Sequence, residues 1–242
     1  MSFVIKGGNT SVSNKMTTDK LVYYINAIDP RCYNGSTSVY DISPSLYTGG
    51  TLVNGTTYND GSFVFDGIND YIDTGVDFSW STSDKFTICA LFNTDTISKF
   101  NQGIFGKPND TFGTSINCGG YEWRFFIRYN LLRFTYWSSG GVGILNIPSS
   151  EPIQTNKWYY CVLVYANNVA NLYLNGNLVG TDLSVFGTFM NRTNNTIIGF
   201  TYGDNCTSDY FDGKIPLVQI YNKDLTQEEI LQNYKAVVRR FR

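Results

Sequence analysis

After a polar first stretch rich in Gly, Ser, Thr and Asn (residues 1–19), the chain settles into short apolar runs separated by turn-forming residues. Leu21 to Ile25 is one such run, ended by Asp29-Pro30. Ser62-Phe63-Val64-Phe65 alternates and stops at Asp66-Gly67, a turn dipeptide. Phe86 to Phe92 hardly alternates, which predicts a strand covered on both faces. Residues 121–137 predict a hairpin bending near Tyr129-Asn130. Trp123, Phe125 and Ile127 share one face of its first strand, with Arg124, Phe126 and Arg128 on the other. On the return strand Leu132, Phe134 and Tyr136 oppose Arg133, Thr135 and Trp137. Trp158 to Tyr165, a turn at Ala166-Asn167-Asn168 and Ala170 to Leu174 form a second hairpin. It continues through Asn175-Gly176, where both residues must take positive φ, into Leu178 to Thr181. Ile197 to Phe200 and Ile215 to Tyr221 complete the strand set.

The period changes only near the end. Ile230, Tyr234 and Val237/Val238 fall at helical spacing, Thr226 is placed to cap, and Glu229 completes a capping box. The expected helix is 226–240, with Arg239, Arg240 and Arg242 at its negative end or against an acidic partner. Many short strands and one terminal helix predict an all-β fold, a two-sheet antiparallel β-sandwich of jelly-roll type. No Pro/Gly linker divides residues 20–242, so they read as one domain behind an N-terminal docking arm, 1–19. Strand-poor stretches near 31–60 and 201–213 read as long loops.

Composition then removes whole classes of chemistry. Without histidine there is no Ser-His-Asp triad, no Cys-His dyad and no His-ligated zinc. A formal net charge of −2 argues against a nucleic-acid binder. Sixteen of the twenty acidic residues are Asp, leaving only Glu122, Glu151, Glu228 and Glu229. The longest apolar run at the N-terminus is Phe3-Val4-Ile5, too short for a secretory signal, and no segment is long and apolar enough for a membrane span. Cys89 and Cys161 lie in strand runs and read as buried free thiols; a Cys118–Cys206 bridge is the alternative use of the loop cysteines.

Three blocks carry a family resemblance. Asp41-Ile42-Ser43 is followed by Gly50 to Gly55 and by Ser62 to Ile72; Lys157-Trp158-Tyr159 leads to Asn175-Gly176; Phe211-Asp212-Gly213-Lys214-Ile215 leads through Ile220-Tyr221-Asn222 to Glu229–Tyr234. Together they resemble the concanavalin A-like lectin/glucanase superfamily in its laminin-G-like jelly-roll branch, over roughly residues 20–236. The resemblance implies two packed antiparallel sheets, one concave, with ligands there or in rim loops. Trp158, large and apolar, reads as a buried core anchor. Such folds host lectins, hydrolases, adhesins and passive spacers, so function has to come from the site.

Glycoside hydrolysis needs two carboxyl groups across the scissile bond. The Glu-x-Asp-x-x-Glu strand of laminarinase-type relatives is absent, and Glu122 stands alone on its strand. Many relatives hold a structural calcium ion, which implies Asp66, Asn69, Asp70 and Asp212 as oxygen donors. Turn formation is the plainer use of those residues, and Ile215-Pro216 departs from the Ile-Asp pair of relatives. For sugar binding, Trp137, Tyr136, Arg124, Arg128 and Arg133 cluster on one hairpin; if it lies on the concave sheet, Arg124, Arg128, Arg133 and Trp137 would line a groove. The alternative is that half of them are core and the arginines solvate a sheet face. The reading that joins these features is a non-enzymatic structural protein of a tailed-bacteriophage virion, in capsid decoration or a fibre. Other virion proteins would hold the arm in an oligomeric assembly, and host glycans would meet the jelly roll. A cellular or secreted lectin module is the alternative, and a glucanase-like hydrolase the third.

Overall fold

The computed structural model describes residues 15–47, 49–108, 121–138, 143–183, 187–202 and 208–241. Its strands are β1 (Leu21–Asn26), β2 (Ser38–Val39), β3 (Gly50–Val53), β4 (Thr57–Asn59), β5 (Ser62–Asp66) and β6 (Tyr71–Asp73). Then come β7 (Phe86–Thr94), β8 (Asn101–Pro108), β9 (Tyr121–Arg128), β10 (Leu131–Trp137), β11 (Gly143–Pro152) and β12 (Trp158–Ala166). The last are β13 (Val169–Leu174), β14 (Asn177–Asp182), β15 (Ile197–Ile198), β16 (Phe200–Tyr202), β17 (Ser208–Tyr210) and β18 (Asp212–Tyr221), before helix α1 (Gln227–Val238).

Two antiparallel sheets face each other. The back sheet runs β14-β13-β12-β7-β18-β5-β4, and the front sheet β11-β10-β9-β8-β15-β6-β3-β2. β18 is long enough to take two partners along one edge. β5 pairs with its first half and β1 with its second, and the register shifts between Lys214 and Leu217, where Pro216 has no N–H to give. The Pro216 carbonyl instead accepts from the Ala27 N–H at 2.8 Å.

Alternation decides what fills the sandwich. Phe86, Ile88, Ala90 and Phe92 of β7 meet Trp123, Phe125, Phe134 and Tyr136 of the front sheet in the inner core. The other face of β7 and β12, with Cys89, Leu91, Tyr160 and Val162, makes a second apolar layer under α1 with Ile230 and Val237. That second layer is why the β7 run shows so little alternation. The helix begins as its sequence predicts: Thr226 accepts from the Glu229 N–H at 3.3 Å while Glu229 accepts from the Thr226 N–H at 2.9 Å. Among the described residues no helix is long and apolar enough to cross a membrane.

Several expectations need correction. Trp158 is only half-buried and packs with Phe241 on the helix side, ring centroids 4.7 Å apart. The buried tryptophan of the inner core is Trp123, whose Nε1–H donates to the Phe78 carbonyl at 3.0 Å. The two stretches read as loops contain β2, β3, β4 and β17, and β16 ends in the second. These strands are two to four residues long and mostly polar, too short to show a period. Asn233, polar but fully buried, was missed by the apolar count on α1: it accepts from the Thr17 N–H at 2.9 Å and donates to Tyr221 Oη at 3.0 Å. Residues 15–19, the described end of the predicted arm, are thus fastened to the helix side of the back sheet. Residues 1–14 lie outside the described residues, as do Cys118 and Cys206.

Cys32, Cys89 and Cys161 are free and buried. Burial pushes the Cys32 thiol up to about 11 and Cys89 up to about 12, and raises Cys161 further. Thiolate is the reactive form, so in native protein at pH 8 these three should be alkylated only as fast as the chain opens. Peptide mapping after timed iodoacetamide exposure checks this; fast labelling of Cys89 without denaturant would contradict it.

Candidate functional site

The outer face of the front sheet is built by the residues that alternate with the inner core. Across β8, β9 and β10 it carries the row Asn101–Arg128–Leu131, and then Gly103–Phe126–Arg133. Arg124 and Thr135 form a further row, followed at the far end by Tyr121 and Trp137. The predicted face assignment of the hairpin therefore holds. Its bend lies at Tyr129-Asn130, both with positive φ.

The five residues expected to take part in sugar binding do not share one place. Tyr136 faces inward, fully buried, its ring stacked on Phe189 at 4.0 Å. It belongs to the core because it alternates with Trp137, and it is withdrawn from the surface set. Arg124 is on the outer face but closed off. The β16–β17 hairpin lies across β8, close enough that a Cβ on Gly103 would sit 2.4 Å from the Thr201 nitrogen. Under that cover the Arg124 guanidinium is held between the Tyr121 and Phe126 rings, 3.6 and 3.8 Å from their centroids. It donates to the Tyr202 carbonyl at 2.7 Å and pairs with Asp209 at 3.3 Å. This is a sealed cation–π and ion-pair site, not an open one.

Arg128, Arg133 and Trp137 remain accessible, all half-buried. Arg133 donates to Asn146 Oδ1 at 3.3 Å and Trp137 meets Tyr121 edge-on at 5.8 Å. Arg128 sits beside Leu131, six residues along β10 from Trp137, a separation of roughly 20 Å at strand rise. They cannot touch one sugar ring. Arg128 has its own company instead: its guanidinium lies 4.6 Å from the Phe100 centroid and 5.6 Å from that of Tyr129. Those two rings meet edge-to-face at 5.1 Å and are both more than half exposed. Sequence reasoning missed Phe100 and Tyr129 because one stands just before β8 and the other in a bend, outside any run with a period.

Of the residues expected as calcium donors, Asp66 faces Asp212 across the β5–β18 ladder and is bonded through its N–H to Asp70. Asp66 Oδ1 accepts from the Ile68 and Asn69 N–H groups at 2.8 and 3.4 Å, and Asp70 Oδ2 accepts from the Asp66 N–H at 3.1 Å. Those are the turn bonds that short acidic side chains make. Asp212 pairs with Lys99, whose ammonium lies 3.9 Å away and donates to the Gly67 carbonyl at 2.6 Å. Among the described residues no cluster of three or more His, Cys, Asp or Glu fits a metal ion.

Glu122 is not free for acid–base work either. A register shift between Lys107 and Pro108 turns it inward beside Trp123, at one end of the sandwich. There the carboxylate is met by Ser79 Oγ at 3.0 Å, Tyr136 Oη at 3.1 Å, the Arg192 N–H at 2.8 Å and Lys107 Nζ at 3.0 Å. Lys107 also binds Asp77 at 2.5 Å, and donates to Ser79 Oγ and the Arg192 carbonyl. Burial pushes the Glu122 carboxyl up, and Lys107 pulls it back.

A sequence model described as the Concanavalin A-like lectin/glucanases superfamily, of laminin-G type, matches residues 65–231. Among solved structures, the chain is similar to a Trypanosoma rangeli sialidase complexed with a difluoro-KDN, at TM-score 0.62 and 16% identity. The match covers 90% of this chain and 32% of the sialidase. It is similar to the binding domain of Paraclostridial Mosquitocidal Protein 1, at TM-score 0.62 and 15% identity, over 89% of this chain and 52% of the other. It is also similar to the receptor-binding domain of botulinum neurotoxin type G, at TM-score 0.62 and 18% identity, over 90% and 51%. At these identities the likeness concerns the fold, and the chain spans a third to a half of those proteins. No curated protein sequence matches it.

Proposed function

Since this chain belongs to the concanavalin A-like lectin/glucanases superfamily, we propose that it is a non-enzymatic recognition module whose front sheet binds glycans. The observation that carries this reading is the open Phe100–Arg128–Tyr129 cluster at one end of that sheet. Exposed aromatic faces stack on the apolar side of a sugar ring, and a guanidinium supplies oriented donors beside them. The fold-level likeness to a toxin binding domain and a toxin receptor-binding domain supports recognition over catalysis. So does Glu122, fully buried and bonded on both oxygens. A glycan array probed with the full chain, with and without calcium, should give binding that Phe100→Ala and Tyr129→Ala abolish. Silence under both conditions would remove the reading, and release of reducing sugar from β-glucans would replace it with a hydrolase.

The setting proposed for this module is the exterior of a tailed-bacteriophage virion, in capsid decoration or a fibre, with other virion proteins as partners. What supports it is the opposition of the two broad sides. Residues 15–19 and α1 are fastened on the back, so a chain held there turns the Arg128 end outward. Mass spectrometry of gradient-purified virions should find the chain among the structural proteins.

A further inference from the structure

Lys107 stands opposite Trp123 in the β8–β9 ladder, so its side chain shares the inner face with that ring. The whole side chain is closed to solvent, and two carboxyl groups meet its end: Asp77 Oδ1 at 2.5 Å and Glu122 Oε2 at 3.0 Å. Ser79 Oγ and the Arg192 carbonyl also accept from it. These are four oxygens for the three hydrogens of an ammonium. The lysines of the other ion pairs, Lys85, Lys99 and Lys223, keep part of their side chains in water. The two carboxyls at Lys107 differ. Glu122 is fully buried and bonded on both oxygens. The Asp77 side chain is 39% exposed and borders an open cleft of about 560 Å³ shared with Ser79 and Asp84.

A primary amine pressed against one carboxyl, with a second carboxyl beside it, is what amide condensation requires. Fixed contact replaces a bimolecular encounter. A site closed to water withholds the hydration that stabilises an ammonium, which activates the amine as a nucleophile. Burial pushes the Glu122 carboxyl up while Lys107 pulls it back, so a proton can pass between them. Glu122 is closed to outside substrates; the acid–base work left to it is on Lys107 itself. We propose that Lys107 and Asp77 condense into an intramolecular isopeptide bond, with Glu122 moving the proton. Glu122 Oε2 takes one proton from Nζ, and the freed electron pair attacks Asp77 Cγ. The N–C bond forms, one C–O bond of Asp77 breaks, and the oxygen leaves into the cleft as water. Both protons of that water come from Nζ, one of them by way of Glu122, which ends as it began. Ammonium and carboxylate become amide and water, so no oxidant, reductant or other reactant is consumed. A neutral amide then replaces an ion pair that is costly to desolvate. Until the bond closes, the residues act as that ion pair. Thirty positions separate them, with β7 of the back sheet in between, so the link would staple the crossing from one sheet to the other.

Intact-mass spectrometry of the full chain, kept folded at neutral pH, tests this. The mass should lie one water, about 18 Da, below that of the sequence, and digestion should release the Asp77 and Lys107 peptides joined. Asp77→Asn should form the same bond with loss of ammonia, about 17 Da. Lys107→Arg and Asp77→Ala should keep their full mass. Asp77 is the exposed partner, so Asp77→Ala should remain folded by circular dichroism and serves as the control if Lys107→Arg does not fold. Glu122→Gln should also keep its full mass; the same water loss in that variant would overturn the part given to Glu122. Full mass in folded wild type overturns the bond. So does a water loss that persists in Asp77→Ala or maps to Asp60-Gly61, Asp66-Gly67 or Asp212-Gly213, which would mark a succinimide instead.

Discussion

Lys107→Met should destabilise the fold by about 3–5 kcal/mol at neutral pH, because it leaves the Glu122 carboxylate buried without its cation. Both side chains are fully inaccessible, and the ammonium is 3.0 Å from Glu122 Oε2. The loss should depend on pH in a definite direction. Burial already holds Glu122 above its ordinary 4.5, with Lys107 the chief opposing influence, so removing Lys107 moves the carboxyl further up. A carboxyl with a raised folded-state pKa contributes stability that is fully present below the unfolded value and is lost as pH rises through the folded one. The variant should therefore be nearest to wild type at pH 4–5, roughly the unfolded value, and fall away as pH climbs. Glu122→Gln, added to Lys107→Met, should recover much of the neutral-pH loss, because an amide carries no charge to strand. Urea midpoints for wild type, single and double variants at pH 5 and 7.5 measure this. A penalty equal at both pH values, with no recovery in the double variant, would mean that the pair is not what holds this end of the sandwich.

Trp123→Ala should cost a similar ~3–5 kcal/mol, by a different route. Its ring is fully buried against Trp80, Phe105 and Phe134, at centroid distances of 5.6, 5.3 and 6.3 Å. Removing it opens a cavity that sheets on both sides resist closing. The indole N–H also pins the Phe78 carbonyl, and Asp77 and Ser79 on either side of Phe78 both reach Lys107. Trp123→Phe keeps most of the packing and drops the bond, so it should lose roughly 1–3 kcal/mol. Combined with Lys107→Met it should lose less than the two losses added, since one segment serves both. Thermal or urea denaturation of the cycle reads the coupling; strict additivity would separate the aromatic core from the polar end.

The strands and the helix were legible wherever apolar alternation or a cap spelled them out. β10, β13 and α1 stand where the pattern puts them because burial of one face fixes their register, and β7 and β12, buried on both faces, read as continuous apolar runs. The faces of the Trp123–Trp137 hairpin were legible for the same reason. The site was less so. Alternation says that Arg124 points away from the core; it does not say that β16 and β17 lie over it. Strand order, not composition, separates Arg128 from Trp137. The shift that turns Glu122 inward inserts one residue and reverses parity, which no two-residue period can reveal. Phe100 and Arg128 meet because the β8–β9 pairing sets Asn101 opposite Arg128.

The double partnership of β18 has a consequence for how the chain is made. β1 and β5 leave the ribosome well before β18, the strand that joins both to β7, and residues 15–19 wait still longer for Asn233. At ~5–20 residues per second of synthesis, the N-terminal strands spend roughly ten seconds or more with bare edges. Closure of the back sheet then waits until β18 has left the ribosome. In that interval the exposed edges of β1 and β5 are where a chaperone, or another nascent copy, would first take hold.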